Sequence, residues 1–266
     1  MASSLYFILP ALGGYTLTSL YLLKNPQILH KKKRAAFHCT HISHRGGKEG
    51  TVEGCSMEQG TGMLELDCHL TRDGHVVVSH DENLLRQTGH DVTISSLNLE
   101  VRGHYSTGTD RKFTLLEEVF RKFPKMPVNI EIKEDNSLLM EKNSTMPYSF
   151  SMRRGLQLLL LYYSGLLPFV PLGESFLQFY LPRIINRTYI PEERLLKNRM
   201  VIYLIEKLTM KKSLFKHLAN RGIQVHLFVC NEDPDIEAAF EVGATGVMTD
   251  YPTLLTDYLH RHRSQD

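Results

Sequence analysis

Hydrophobic and polar positions fall in blocks along this chain, and the period of the blocks changes with position. Leu5 to Leu23 (LYFILPALGGYTLTSLYLL) runs 19 residues without a charge. At 1.5 Å per residue that run can cross the hydrocarbon core of a bilayer. Further on, short apolar runs end in charged or polar clusters. They predict strands at His41–His44, Met63–Cys68, Val76–His80, Val128–Lys133, Tyr148–Met152, Ile223–Cys230 and Gly246–Asp250. Helical periodicity lies between them. Leu115–Phe123 opens with a capping box of Thr114 and Glu117, and Val201–Arg221 stops at Gly222. Pro234–Val242 and Pro252–His262 each carry Pro near the first turn. Strands alternating with helices predict a parallel α/β domain. A closed TIM-type (β/α) barrel has eight strands and this pattern supplies seven, so the expected barrel is incomplete.

One segment fits the alternation poorly. Leu156–Val170 (LQLLLLYYSGLLPFV) is a second apolar stretch, short for a span and broken at Gly165, Pro168 and Pro171. Leu172–Leu181 continues it with Phe176, Phe179 and Tyr180. A buried barrel helix is one reading. Large apolar residues on all sides, followed by prolines, favour an interfacial or re-entrant hairpin that faces the membrane. The expected layout is an anchor over residues 1–24, a basic linker over 25–40, and a barrel over 41–262 with that apolar insertion near 156–182.

Composition narrows the class. With 42% hydrophobic and 23% charged residues, the 266-residue chain can bury a core and is not disordered by composition. A net charge of +2 is too small to argue for nucleic acid. Cys39, Cys55, Cys68 and Cys230 show no paired spacing, which argues against a zinc site or a disulfide framework. Lys24, Lys31, Lys32, Lys33 and Arg34 follow the first apolar run on one side only, and the positive-inside rule then puts the next domain in the cytosol. The run is too long, and lacks a basic leader, for a typical cleaved signal peptide. Two sequons, Asn143-Ser144-Thr145 and Asn186-Arg187-Thr188, point instead to a lumenal face.

Chemistry collects at the strand ends: His44-Arg45-Gly46-Gly47, Glu65-Leu66-Asp67, His80-Asp81 and Glu131-Ile132-Lys133. Phosphodiester hydrolysis must deprotonate a nucleophile, protonate a leaving alkoxide and neutralise charge on the phosphoryl oxygens. Two imidazoles suit the first two tasks, since they titrate near neutrality. A hard cation held by carboxylates suits the third. Glu65 and Asp67 are two apart on a strand and so share a face. Glu131 and Lys133 share a face of another strand. Arg45 offers a planar, bidentate phosphate donor. Singly, each residue has a plain alternative as a structural or solvated side chain. The joint order and spacing favour a site. His41, His69, His75 and His90 lie nearby without an assigned role.

That order resembles the glycerophosphodiester phosphodiesterase family, whose signature is His-Arg, then Glu-x-Asp, then His-Asp. Here twelve residues separate Asp67 from His80. Glu131-Ile132-Lys133 matches a later strand of the family, and Asn231 with GATGVMTDYP (Gly243 to Pro252) resembles its last barrel strands. The apolar N-terminus, SHDENL (Ser79 to Leu84) and GLLPFVP (Gly165 to Pro171) resemble a membrane-bound subgroup with lysophospholipase D activity. The resemblance implies a TIM barrel with the site at the C-terminal strand ends. It implies His44 and His80 as the acid–base pair, and Glu65, Asp67 and Glu131 as ligands of Mg²⁺ or Ca²⁺. His80 is a metal ligand in an alternative assignment. Arg45 and Lys133 would hold the phosphate. The implied substrates are lysophosphatidylcholine and related lysophospholipids, cleaved to lysophosphatidic acid plus the headgroup alcohol. The implied location is endoplasmic reticulum and perinuclear membrane, with no specific protein partner.

The chain departs from the family in three places. Lys48 to Gly62 (KEGTVEGCSMEQGTG) lacks the Glu-Asn-Thr that opens the first barrel helix, although Glu49 or Glu53 lies in the region. Only twelve residues join Lys133 to Met146, where the family fits a helix, a strand and a helix, so the fifth βα unit is missing. The penultimate strand carries Phe228 where the family often has Trp. Two competing functions follow: a glycerophosphodiesterase acting on water-soluble glycerophosphodiesters, or a catalytically inactive membrane lipid-binding variant.

Overall fold

Residues 2–46, 60–99, 114–132, 146–191 and 193–263 are described by the computed structural model of the chain. Its elements are α1 (Ala2–Lys24), β1 (His41–Ser43), β2 (Met63–Leu70), β3 (Val76–Val78), α2 (Leu85–Thr88), α3 (Leu116–Lys122), β4 (Val128–Ile132), α4 (Met152–Tyr163), β5 (Phe176–Tyr180), α5 (Arg199–Thr209), α6 (Lys212–Asn220), β6 (Gln224–Phe228), α7 (Asp233–Glu241), β7 (Gly246–Thr249) and α8 (Pro252–Arg263). Two units divide the chain. One comprises Met1–Thr40 and Pro147–Met248, the other His41–Met146 and Thr249–Asp266.

The second unit is built on β2. It pairs in parallel with β1 through Ile42 and Met63, and in parallel with β4 from Leu64 to Cys68. Leu64, Leu66 and Cys68 on one face of β2 pack with Val119 of α3 and with Phe123, which caps that helix. Strand alternation therefore sends Glu65 and Asp67 to the opposite face. The third expected strand turns out differently. β3 runs antiparallel to β2, so it is a hairpin partner and not a member of the parallel series. A tight turn reverses the chain: Gly74 has φ +86° and the Thr71 hydroxyl accepts from the His75 N–H. Helix α3 starts one residue later than expected. The Leu115 N–H donates to Glu118, at 2.9 Å, in place of a Thr114–Glu117 box.

In the first unit β5, β6 and β7 are parallel neighbours. Two expectations are corrected here. Tyr148–Met152 is not a strand: only Ser149 bridges, to Phe176, and Ser151 caps α4 by accepting from the Arg154 N–H. β5 instead lies inside the apolar stretch read as an insertion. Val201–Arg221 is two helices, because Met210 and Lys211 leave helical backbone angles between α5 and α6. Gly222 closes α6 at φ +80°, and a Cβ there would sit 2.3 Å from the Lys33 carbonyl oxygen. Lys33 also donates from its backbone to Arg221, and from Nζ to the carbonyls of Gly173 and Glu174. The Phe228 ring meets Tyr180 edge-on, at 6.0 Å between centroids.

Helix α1 is long and apolar enough to cross a bilayer, a property that a signal sequence shares. It docks on the turn after α4: Tyr15 donates to the Ser164 carbonyl and Ser19 to that of Gly165, both at 2.6 Å. Helix α4 buries Leu158 but exposes Leu156, Leu160 and Tyr163. The Asn186 side-chain amide of the second sequon donates to the carbonyls of Leu196 and Lys197, so a glycan there would disrupt those bonds. Cys39, Cys68 and Cys230 are buried thiols. Asn143, Cys55, Glu49, Glu53 and the interval following Ile132, where the fifth unit was expected to be missing, lie outside the described residues.

Candidate active site

The second unit gathers Glu65, Asp67 and Glu131, with His44 beside them, around the middle of β2. β1 gives way to a single turn, His44–Gly46, in which Arg45 takes a left-handed conformation at φ 51°. Such a φ is uncommon for a side chain larger than Gly and needs local support. That support comes from β2: the Arg45 N–H donates to Glu65 Oε2 at 2.9 Å, and its Nε lies 3.3 Å from Asp67 Oδ2. The Arg45 side chain, assigned above to phosphate, thus lies against a predicted metal ligand.

β2 and β4 place the carboxylates by register. Asp67 is the direct neighbour of Glu131, and Glu65 the neighbour of Asn129. Side by side in parallel strands, these residues share one face. Oxygens of Glu65, Asp67 and Glu131 all lie within 4.8 Å of one another. Glu65 and Asp67 are buried and Glu131 is exposed. Burial chiefly, and the charges of Asp67 and Glu131 in addition, push the Glu65 pKa from 4.5 up to about 7, against the opposing pull of His44 and the Arg45 N–H. An all-oxygen donor set of like charges, two of them buried, fits a hard divalent cation, whose charge would relieve that repulsion.

Each predicted histidine carries a carboxylate on Nδ1. His44 Nδ1 is 2.6 Å from Asp250 Oδ1, and its Nε2 lies 3.9 Å from Glu65 Oε2. His80 Nδ1 is 2.6 Å from Asp81 Oδ1. Arg86 in turn donates to Asp81 Oδ2 at 2.7 Å. Burial works against ionisation of Asp81, but the bonds from Arg86 and His80 prevail and bring its pKa down to about 2. A carboxylate on Nδ1 orients an imidazole and fixes its tautomer, turning Nε2 toward the reacting groups. His80 stands outside the group of three carboxylates. Lys133 lies outside the described residues.

Three supporting roles are not apparent from the sequence. Asp250 was seen only as the end of the last strand, although a carboxylate at a strand end was the signal used elsewhere. His69, left without a role, meets the His80 carbonyl through Nε2 at 3.3 Å and so ties the His80 loop to β2. His41 meets the Pro252 carbonyl through Nε2 at 2.9 Å, fixing the start of α8 just beyond Asp250.

Comparison with known proteins agrees with the family resemblance carried by the sequence motifs. Residues 44–155 match the Glycerophosphoryl diester phosphodiesterase family. Over 311 aligned residues the chain is 42% identical to Lysophospholipase D GDPD3 of Homo sapiens, covering 98% of each. It is 41% identical to Lysophospholipase D GDPD1 of Homo sapiens, over 97% of this chain and 98% of the relative. The 311 aligned positions exceed this chain's 266 residues, so the first relative has internal sequence with no counterpart here. Among solved structures, a glycerophosphodiester phosphodiesterase from Thermotoga maritima superposes with a TM-score of 0.58 at 24% identity, over 83% of this chain and 99% of the other. One from Agrobacterium tumefaciens gives 0.56 at 14%, over 84% and 99%. These two share the fold.

Proposed function

The chain belongs to the glycerophosphoryl diester phosphodiesterase family of phosphodiester hydrolases, and from that premise we propose that it is a membrane-anchored, divalent-cation-dependent lysophospholipase D. The observation that carries the reading is the cluster of Glu65, Asp67 and Glu131 with the His44 Nε2 beside it. Glu65, Asp67 and Glu131 would hold Mg²⁺ or Ca²⁺, which when bound neutralises charge growing on the phosphoryl oxygens. Arg45 and Lys133 add cationic donors for the same oxygens.

His44 and His80 divide the proton work. One imidazole takes the proton of the free glycerol hydroxyl beside the phosphate. That oxygen bonds to phosphorus while the bond to the headgroup oxygen breaks, and the other imidazole protonates the departing alcohol. The product is a cyclic phosphate. Water then opens it with the two imidazoles in exchanged roles, giving lysophosphatidic acid. Proximity favours the internal hydroxyl over external water. His80 serves better here than as a metal ligand, because its Nδ1 is held by Asp81 and one nitrogen cannot both bind a cation and carry the proton.

The test is choline release from lysophosphatidylcholine by purified full-length protein. Turnover is expected with Mg²⁺ or Ca²⁺ and not with chelator. An analogue with the free hydroxyl methylated is expected to be inert, and unchanged turnover of it would remove the internal nucleophile. Faster turnover of glycerophosphocholine than of the lysolipid would favour a water-soluble substrate instead. The apolar surfaces of α1 and α4 support the lysolipid. Endoplasmic reticulum and perinuclear membranes are the location that this reading assigns, from the resemblance to the membrane-bound subgroup.

Asp250 is a positioning residue in this scheme. Asp250→Asn is expected to lower kcat by about 10²-fold or more, since a carboxamide presents the wrong partner to His44 Nδ1. KM should hold, and the acid limb of the pH–kcat curve should shift. An unchanged kcat and pH curve would make the 2.6 Å contact merely structural.

A further inference from the structure

Helix α5 exposes an apolar stripe that the site chemistry does not use. Met200, Tyr203, Leu204 and Leu208 are 64%, 55%, 51% and 52% exposed. Their spacing of three and four puts them on one face of the helix. The opposite side is seated, with Ile202 buried. The stripe is continuous with other apolar surface in the same unit. Tyr163 of α4 donates to the Leu208 carbonyl at 2.8 Å, which sets the exposed row Leu156, Leu160 and Tyr163 beside it. The turn that follows α4 carries α1, through Tyr15 and Ser19.

Charge decides what the stripe meets. From Arg194 to Lys216 the sequence holds seven Lys and Arg residues (Arg194, Lys197, Arg199, Lys207, Lys211, Lys212 and Lys216) and one acidic residue, Glu206. Glu206 is paired with Arg183 at 2.7 Å. Lys207 lies over the Tyr203 ring at 5.4 Å, keeping its charge at the edge of the apolar face. An apolar stripe rimmed by cations suits a surface with an apolar interior and anionic headgroups. At eleven residues α5 is about 16 Å long, too short to cross a bilayer.

We propose that α5 lies in the plane of the bilayer interface, its Met200–Tyr203–Leu204–Leu208 face among the acyl chains and its basic rim on anionic lipid headgroups. This surface goes beyond the reading of the active site and does not depend on it. Docking α1 on the same unit raises the local concentration of bilayer at α5, so a short helix is enough to hold that unit flat.

The experiment places an environment-sensitive fluorophore on Leu204→Cys in the full-length chain with Cys55→Ser, reconstituted in phosphatidylcholine vesicles with and without phosphatidylserine. Glu237→Cys, on the exposed face of α7, is the reference position. The Leu204 probe is expected to shift to the blue and to lose most of its emission to lipid-borne nitroxide, more so with phosphatidylserine and less at high salt. The Glu237 probe is expected to stay in water. A Leu204 probe as water-exposed as the Glu237 probe in both vesicles would overturn the proposal. So would pyrene excimer emission from Leu204→Cys without lipid quenching, which would give the stripe to a second copy of the chain. None of these readouts requires turnover, so an inactive preparation leaves the result intact.

Discussion

A chain carrying His44→Ala is expected to release headgroup about 10²–10⁴ times more slowly than the parent, and still to sediment with membranes. The size follows from what the imidazole does. His44 stands beside the carboxylate cluster, with Nε2 3.9 Å from Glu65 and Nδ1 held 2.6 Å from Asp250. Alanine removes the proton carrier and also deprives Asp250 of a neighbour, so part of the loss could be structural. His44→Gln separates the two effects. Its amide can still donate to Asp250 but cannot exchange a proton near neutrality. Both variants are expected to fall alike in kcat and to keep the parent's thermal midpoint within a few degrees. Parental turnover in His44→Gln would sink the proton-carrier role.

Removing divalent cation is expected to cost stability as well as turnover, and to cost more at high pH. In the cation-free protein burial and like charges raise the Glu65 pKa from 4.5 to about 7. The folded state then holds that proton more tightly than the unfolded chain does. The resulting stability is fully present below about pH 4.5 and is lost as pH rises to about 7. A difference of that size is worth about 3 kcal/mol. Cation binding needs the carboxylates ionised, so it strengthens over the same window. Melting with chelator should therefore give a lower midpoint at about pH 8 than at about pH 5, and added Mg²⁺ or Ca²⁺ should restore most of the fall. Asp67→Asn should abolish the restoration. An increment of equal size at both pH values, or one that survives Asp67→Asn, would place the cation elsewhere.

The three carboxylates that the fold brings together were readable because each sits in a short contiguous motif within a strand. Asp250 was not, since its partner His44 lies 206 positions away and nothing local marks the pairing. The direction of β3 was in the sequence but passed over: Asp73-Gly74 is a hairpin turn, which reverses a strand and does not cross over to a parallel one. β5 was hidden by its neighbours. Phe176–Tyr180 follows an apolar helix through a linker that is itself largely apolar, so no change of period announces it. The break between α5 and α6 has no Gly or Pro to signal it. What shows there is backbone geometry at Met210 and Lys211, which propensity does not encode.

The stretch after α1 was expected as a linker, and Lys33 makes it something stiffer. Its main chain meets Arg221, its ammonium meets the carbonyls of Gly173 and Glu174, and Gly222 has no side chain where the strand of chain passes. Helix α1 is thus mounted like a mast stepped into a hull, where a rope would have left the hull free to drift. Any tilt of α1 is handed directly to the unit it enters.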